Sequence, residues 1–233
     1  MREPHNIAFV GPTLGPIADS ELLGRAGFEV FPPVRRGDID SLLENVPGII
    51  VIVDGRFNET IAVGHAEIRR ALRAGWEVWG LSSMGAIRAY EMRDLGMRGF
   101  GRVFEHFLAT DDFQDDEVVL LHLPAAPYEA LSEPLIHVRN CLAAMQFDGE
   151  IGESEARAVV STLKSAWFGA RTLEAFIEAV GRYGGPEARE AAVRRGDDFD
   201  RFRSKSQDLM DFFANEVWLG GALAARPARA PYM

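Results

Sequence analysis

Apolar and polar positions along the chain change their period near Pro134: before it, short apolar runs alternate with amphipathic stretches, and beyond it only helical spacing remains. Residues 6–11 read as a buried first strand, followed by the turn Gly11-Pro-Thr-Leu-Gly15. A helix is expected over 18–26, and a second strand over 28–31 ends at Pro32 and Pro33 because proline cannot continue a ladder. Asp38 is placed to cap a helix running through Asn45. The run Gly-Ile-Ile-Val-Ile-Val over 48–53 is continuous and β-branched, the pattern of a parallel strand covered on both faces. An amphipathic helix follows over 63–74, then a strand over 77–81, the serine turn Ser82-Ser83 and a helix over 85–93. Gly96, Gly99 and Gly101 read as a flexible connection, 102–109 as a helix, 110–117 as an acidic segment and 118–122 as a fifth strand. Helices are predicted over 135–145, 153–165, 172–183 and 187–218, with a frayed tail over 222–233.

This pattern predicts an α/β fold: a doubly wound, mainly parallel sheet of about five strands, Rossmann- or flavodoxin-like, with an all-helical C-terminal part. The expected division is an α/β core over 1–132 and a helical region over 133–233 packed on it. A parallel sheet puts Gly11 to Thr13, Asp54-Gly55, Ser82-Ser83 and His122 at strand carboxyl ends, hence on one rim, where ligands of open α/β sheets bind.

Composition narrows the function classes. The 233 residues carry a net charge of −10, which speaks against nucleic acid as a partner. Apolar runs fall well short of the roughly twenty residues of a bilayer span, so no membrane association is expected. The opening residues show no cleavage pattern, and the single cysteine, Cys141, excludes an internal disulfide; both suit a reducing cytoplasm. Among the cations only Lys164 and Lys205 are lysines, a skew toward arginine that first reflects genome composition.

Ser82 and Ser83 stand where a strand turns sharply into a helix, the place of a nucleophile elbow, with the Met84 and Gly85 amides as oxyanion donors. The elbow's small-residue spacing is imperfect for either serine, and a serine here also serves simply as a helix cap. His65 and Glu67, two residues apart on a helix, cannot share a face, so at most one reaches the rim unless His65 precedes the first turn. His122 is the competing base. Asp115, Asp116 and Glu117 read as a solvated acidic loop rather than a magnesium site. His137 and Cys141 lie one helical turn apart without the further ligands zinc needs. No metal and no cofactor is expected: Gly11-Pro-Thr-Leu-Gly15 lacks the ending of a phosphate loop, and Gly96, Gly99, Gly101 reverses the spacing of a dinucleotide fingerprint.

Several of these residues also resemble a family. Gly11-Pro-Thr-Leu, Arg36-Gly-Asp, Asp54-Gly, His65-x-Glu67-Ile68, Gly75, Ser82-Ser-Met-Gly-Ala-x-Arg88-Ala-x-Glu91, Gly96-Met-x-Gly-x-Gly101 and Asp115-Asp-Glu-Val are similar to the TfuA-like proteins over about residues 7–145. Beyond them the likeness is loose and rests on Lys205 and Asp208. His137 departs from the family pattern, which has asparagine before Val-Arg139.

The resemblance implies a sulfur-delivery role in thioamide formation on ribosomally synthesised peptides. Its partners would be a YcaO-type protein, a precursor peptide and a sulfur carrier protein or sulfurtransferase. The chain would hydrolyse a thiocarboxylated carrier, with Ser83 as nucleophile and Ser82 as second choice, His65 as base, and Glu67, Asp54 or Asp116 orienting the histidine. Gly11, Thr13, Asp54, Met84, Gly85, Arg88 and His122 would bind substrate, Arg88 by holding the carrier's acidic tail or by pairing with Glu91. The rival readings are a non-catalytic adaptor that docks the YcaO-type protein, and nucleotide binding on the rim.

Overall fold

The computed structural model describes residues 4–15, 20–56, 61–110 and 114–220. It divides into two compact units, one within Met1–Phe113 and Lys205–Arg226, the other built on Gln114–Ser204.

The first unit is a five-stranded, all-parallel sheet of β1 (Ile7–Phe9), β2 (Glu29–Phe31), β3 (Ile49–Ile52), β4 (Glu77–Leu81) and β5 (Arg98–Phe100), in the order β2-β1-β3-β4-β5. That is the flavodoxin-like order of a doubly wound sheet, whose strand order reverses beside β1 and β3. Alternate residues of the central strands go to opposite faces. Ile7, Phe9, Ile50, Ile52 and Val78 pack with Ile68 and Ala71 of α2 (His65–Arg73) and with Ala89 and Met92 of α3 (Met84–Met92). Ala8, Val10, Val51, Val53, Trp79 and Leu81 pack with Leu23 of α1 (Ser20–Arg25) and with Leu209, Phe212 and Phe213 from much later in the chain. A sheet apolar on both faces needs two covers, and the last helix among the described residues supplies part of the second.

Three expectations fail here. Residues 118–122 are not a strand of the sheet: Val118 and Val119 are buried, but His122 makes only an isolated antiparallel bridge to Ala130. The fifth strand comes instead from the glycine-rich segment read as a flexible connection. Its Gly99 reflects crowding, since a Cβ there would sit 2.3 Å from the Phe104 ring. The helix expected after Asp38 shrinks to a 3₁₀ turn, Asp40–Leu42, and Asp38 turns back to accept from the Arg35 amide. Between β5 and the second unit lies α4 (Arg102–Ala109).

The second unit is helical, as expected. Helices α5 (Leu135–Phe147), α6 (Glu153–Ser165) and α7 (Leu173–Gly196) enclose Val138, Cys141, Leu142, Val159, Leu163, Phe176 and Val180. Gly185 (φ 83°) and Pro186 break α7 into two pieces. The long helix expected over 187–218 is interrupted too. It stops at Gly196, where Gly-Asp-Asp favours a turn, and is followed by a 3₁₀ turn, Phe199–Phe202, and then α8 (Ser204–Ala214). Among the described residues no helix is long and apolar enough to cross a membrane.

Candidate active site on the sheet rim

Adjacent strands β1, β3 and β4 bring Gly11 to Thr13, Asp54 and Ser82-Ser83 to one edge of the sheet, as their spacing predicts. Asp54 is buried, and its carboxylate is fully engaged with the loop after β1. Oδ2 accepts from the Gly11 and Thr13 amides at 2.8 and 3.0 Å, and Oδ1 accepts from the Thr13 hydroxyl at 2.7 Å. Gly11, Thr13 and Asp54 are therefore one hydrogen-bonded support, and Asp54 does not orient His65.

The β4–α3 turn has the backbone of an elbow. Ser82 takes φ 66°, a left-handed conformation that costs a non-glycine residue of the order of 1–2 kcal/mol. Ser83 follows at φ −129°, ψ −122°, and occupies the N-cap position of α3 without a capping bond from its side chain. Two glycines let the helix start so close to the sheet. A Cβ on Gly85 would lie 1.7 Å from the Ile52 carbonyl oxygen, and one on Gly80 would lie 2.1 Å from that of Gly85. The strained residue is thus Ser82. The Gly85 amide donates to the Val53 carbonyl at 3.2 Å and the Ser83 amide to the Leu81 carbonyl at 2.7 Å, so of the Met84 and Gly85 amides expected as oxyanion donors the second is engaged within the fold.

The partner of Ser82 was invisible to sequence reasoning. Its Oγ donates to the main-chain carbonyl of Lys205, 123 positions away, at 2.8 Å. In the next residue, Ser206 Oγ donates to the Thr13 carbonyl at 2.7 Å. Two residues further, Asp208 accepts from the Arg102 and Val103 amides at 2.9 and 3.0 Å and so caps α4. Gly101 leaves room for that cap, since a Cβ would stand 2.3 Å from the Asp208 carboxyl carbon. Burial pushes the Asp208 carboxyl up to about 7, although the two amides and the Arg102 charge favour its ionised form. The first turn of α8 thereby touches both rim turns; the only hint of it in the sequence is the family likeness at Lys205 and Asp208.

His65 and Glu67 point apart, as their spacing requires. Glu67 is buried and structural, accepting from the Gly64 amide at 2.7 Å and the Gly37 amide at 2.9 Å. His65 is 55% exposed, and its Nε2 lies 2.7 Å from Glu91 Oε2. Glu91 also accepts from Arg88 at 2.5 Å, and Arg88 Nε donates to the Val63 carbonyl at 3.0 Å. Glu91 is eight residues beyond Ser83, about 12 Å of axial rise, so His65 is engaged far along α3 and not at the Ser82 hydroxyl.

The remaining candidates belong to the second unit. His122, which is not at a strand end of the sheet, turns its Nδ1 to the Leu123 carbonyl at 2.7 Å and its ring against Tyr128. The acidic segment is not a solvated loop throughout: Glu117 is buried and holds Arg139 through two 2.9 Å bonds, and Asp116 accepts from the buried Arg171 at 2.7 Å. Asp116 thus serves Arg171 rather than a histidine, and Asp111 and Asp112 lie outside the described residues. His137 Nδ1 is 2.8 Å from Glu133, which also binds Arg203. Burial raises the Glu133 carboxyl, but His137 and Arg203 outweigh it and hold it below its ordinary value. Burial pushes the Cys141 thiol up to about 12, which makes it an inert core residue. Among the described residues no group of three or more His, Cys, Asp or Glu is gathered to hold a metal ion.

No curated protein matches the chain. The family described as TfuA-like protein matches residues 54–172, from the Asp54 strand end through the serine turn and into the helical unit. Because that match covers just over half of the 233 residues, the chain belongs to the TfuA-like family.

Proposed function

We propose that this chain is a sulfur-delivery partner in thioamide formation on ribosomally synthesised peptides, hydrolysing a thiocarboxylated sulfur carrier and passing the sulfide to a YcaO-type enzyme. Membership of the TfuA-like family is consistent with a role in thioamide-forming systems. The observation that carries the hydrolytic reading is the strained φ of Ser82 at the strand-to-helix turn, where acyl-transfer enzymes hold a nucleophile.

In this reading the Ser82 oxygen attacks the thiocarboxylate carbon, the Ser82 O–H and the C–S bonds break, and sulfide leaves with the C–S electron pair and takes the hydroxyl proton as HS⁻. Water then hydrolyses the acyl-serine ester to the carrier's carboxylate. The Met84 amide at the start of α3 faces the developing oxyanion. His65 and Arg88, joined through Glu91 on the outer side of α3, are assigned to holding the carrier.

A second reading, a non-catalytic adaptor for the YcaO-type enzyme and its peptide or sulfur donor, is favoured by one fact: the Ser82 hydroxyl is wholly buried and donates to a carbonyl. The two separate in a mixture of thiocarboxylated carrier and this chain, with the carrier's mass followed over time. Ser82→Ala is expected to slow sulfide loss by about a hundredfold or more, and Ser83→Ala by less than about tenfold. Full hydrolysis by Ser82→Ala would end the hydrolytic reading, and thioamidation sustained by that variant with the YcaO-type enzyme would establish the adaptor.

A further inference from the structure

The hydroxyl that this reaction needs is shut away. Ser82 has no exposed surface and Ser83 almost none. What closes over Ser82 is the start of α8, a helix made of two unlike parts. Its body is fixed: Leu209, Phe212 and Phe213 lie in the apolar layer with Trp79 and Trp218, and Asp208 is tied to the Arg102 and Val103 amides. Its first turn is built of polar residues and meets the rim through polar contacts: the Lys205 carbonyl to Ser82, Ser206 to the Thr13 carbonyl, and the Arg102 guanidinium to the Gln207 side chain.

First-turn residues also lack the intrahelical amide bonds that hold later turns, so this is where a helix frays. The closed arrangement is imperfect in another respect. The hydroxyl of Ser204, the first residue of α8, is buried without a hydrogen-bond partner among the described residues, and such a group favours any state that exposes it to water.

We infer that the Lys205–Gln207 turn is a gate over Ser82, with the Ser206 hydroxyl as its latch and Asp208 as the fixed point about which it opens. Closed, the gate holds the Ser82 proton against a neutral carbonyl, which cannot take it, and keeps the carrier out. Open, it frees the hydroxyl and uncovers the start of α3. The purpose of the gate rests on the reading of Ser82 as the reacting group; its opening does not.

Thiol accessibility tests it in the full chain. Ser82→Cys is alkylated with iodoacetamide and the modified peptide is quantified by mass; Ala8→Cys, on the fully buried β1, reports global unfolding. Position 82 should react at least about tenfold faster than position 8. Adding Ser206→Ala should raise the rate at 82 about fivefold, the effect of one lost hydrogen bond, and leave position 8 unchanged. Equal rates at both positions, or a rate at 82 indifferent to Ser206→Ala, would overturn the gate. If Ser82→Cys does not fold, Ser83→Cys carries the same comparison, since Ser83 is equally enclosed. Hydrolysis retained by Ser82→Ala would remove the reacting group and leave a measured gate standing, whereas a failed accessibility test beside an inactive Ser82→Ala would remove the gate alone.

Discussion

Asp54 and Thr13 are bound to each other twice, by the Thr13 amide at 3.0 Å and its hydroxyl at 2.7 Å, so the carboxylate at the end of β3 is the clamp on the loop after β1. Removing it strands buried donors. Asp54→Ala leaves the Gly11 and Thr13 amides without their acceptor and should cost about 3–5 kcal/mol in urea unfolding, while Thr13→Val, which loses one hydroxyl, should cost about 1–2 kcal/mol. An Asp54→Ala protein of wild-type stability would show that the loop finds other acceptors.

The elbow depends on bare backbone. Gly85→Ala forces a methyl group to 1.7 Å from the Ile52 carbonyl oxygen, and neither neighbour is a flexible side-chain end. We expect a loss of about 4 kcal/mol or more, seen as a failure to give a cooperative melt. Gly96→Ala is the control: its φ is 102°, but nothing lies within 4 Å of the added methyl, so only backbone strain of about 1 kcal/mol is expected.

Strain at Ser82 separates stability from chemistry. Glycine accepts φ 66° without penalty, and alanine does not. Ser82→Gly should therefore be more stable than Ser82→Ala by about 1 kcal/mol, although both lose the same bond to Lys205. Both should lose sulfide release equally. A Ser82→Gly protein less stable than Ser82→Ala would mean that the turn relaxes once the hydroxyl is gone.

Asp208 gives the fold an unusual response to pH. Its carboxyl titrates at about 7 in the folded chain against an ordinary value of 3.8, chiefly through burial. Between those values the folded state holds a proton that the unfolded state has released, so this group makes stability fall as pH rises from about 4 to about 7. The full shift corresponds to about 4 kcal/mol. Asp208→Asn cannot titrate, so urea midpoints of wild type and variant at pH 5 and pH 7.5 should converge or cross. Parallel pH dependence in the two proteins would show that the Arg102 and Val103 amides keep the group ionised throughout.

Local pattern determined four of the sheet's five strands, β1 to β4, and most of the helices. The unbroken β-branched run into β3 requires two covered faces, and glycine and proline mark where α1, α2 and β2 end. It also located the rim, because in a parallel sheet the carboxyl ends of β1, β3 and β4 fall on one side whatever covers them. Gly99 misled because a glycine admitted for the Phe104 ring has the same signature in sequence as a flexible link.

What the sequence could not yield was the use of each polar group. Nothing local tells that Asp54 is spent on Thr13, that Glu67 serves Gly37 and Gly64, or that His65 turns to Glu91. Those choices depend on which loops come within 3 Å of one another. Packing of the helical region on the core was expected, but not which helix or face: the last helix among the described residues returns to the sheet, where Phe212 and Phe213 fill the uncovered face and Lys205 closes over Ser82. The apolar spacing of α8 announces a helix seeking a surface, and only the folded sheet, one face still uncovered, decides which surface that is.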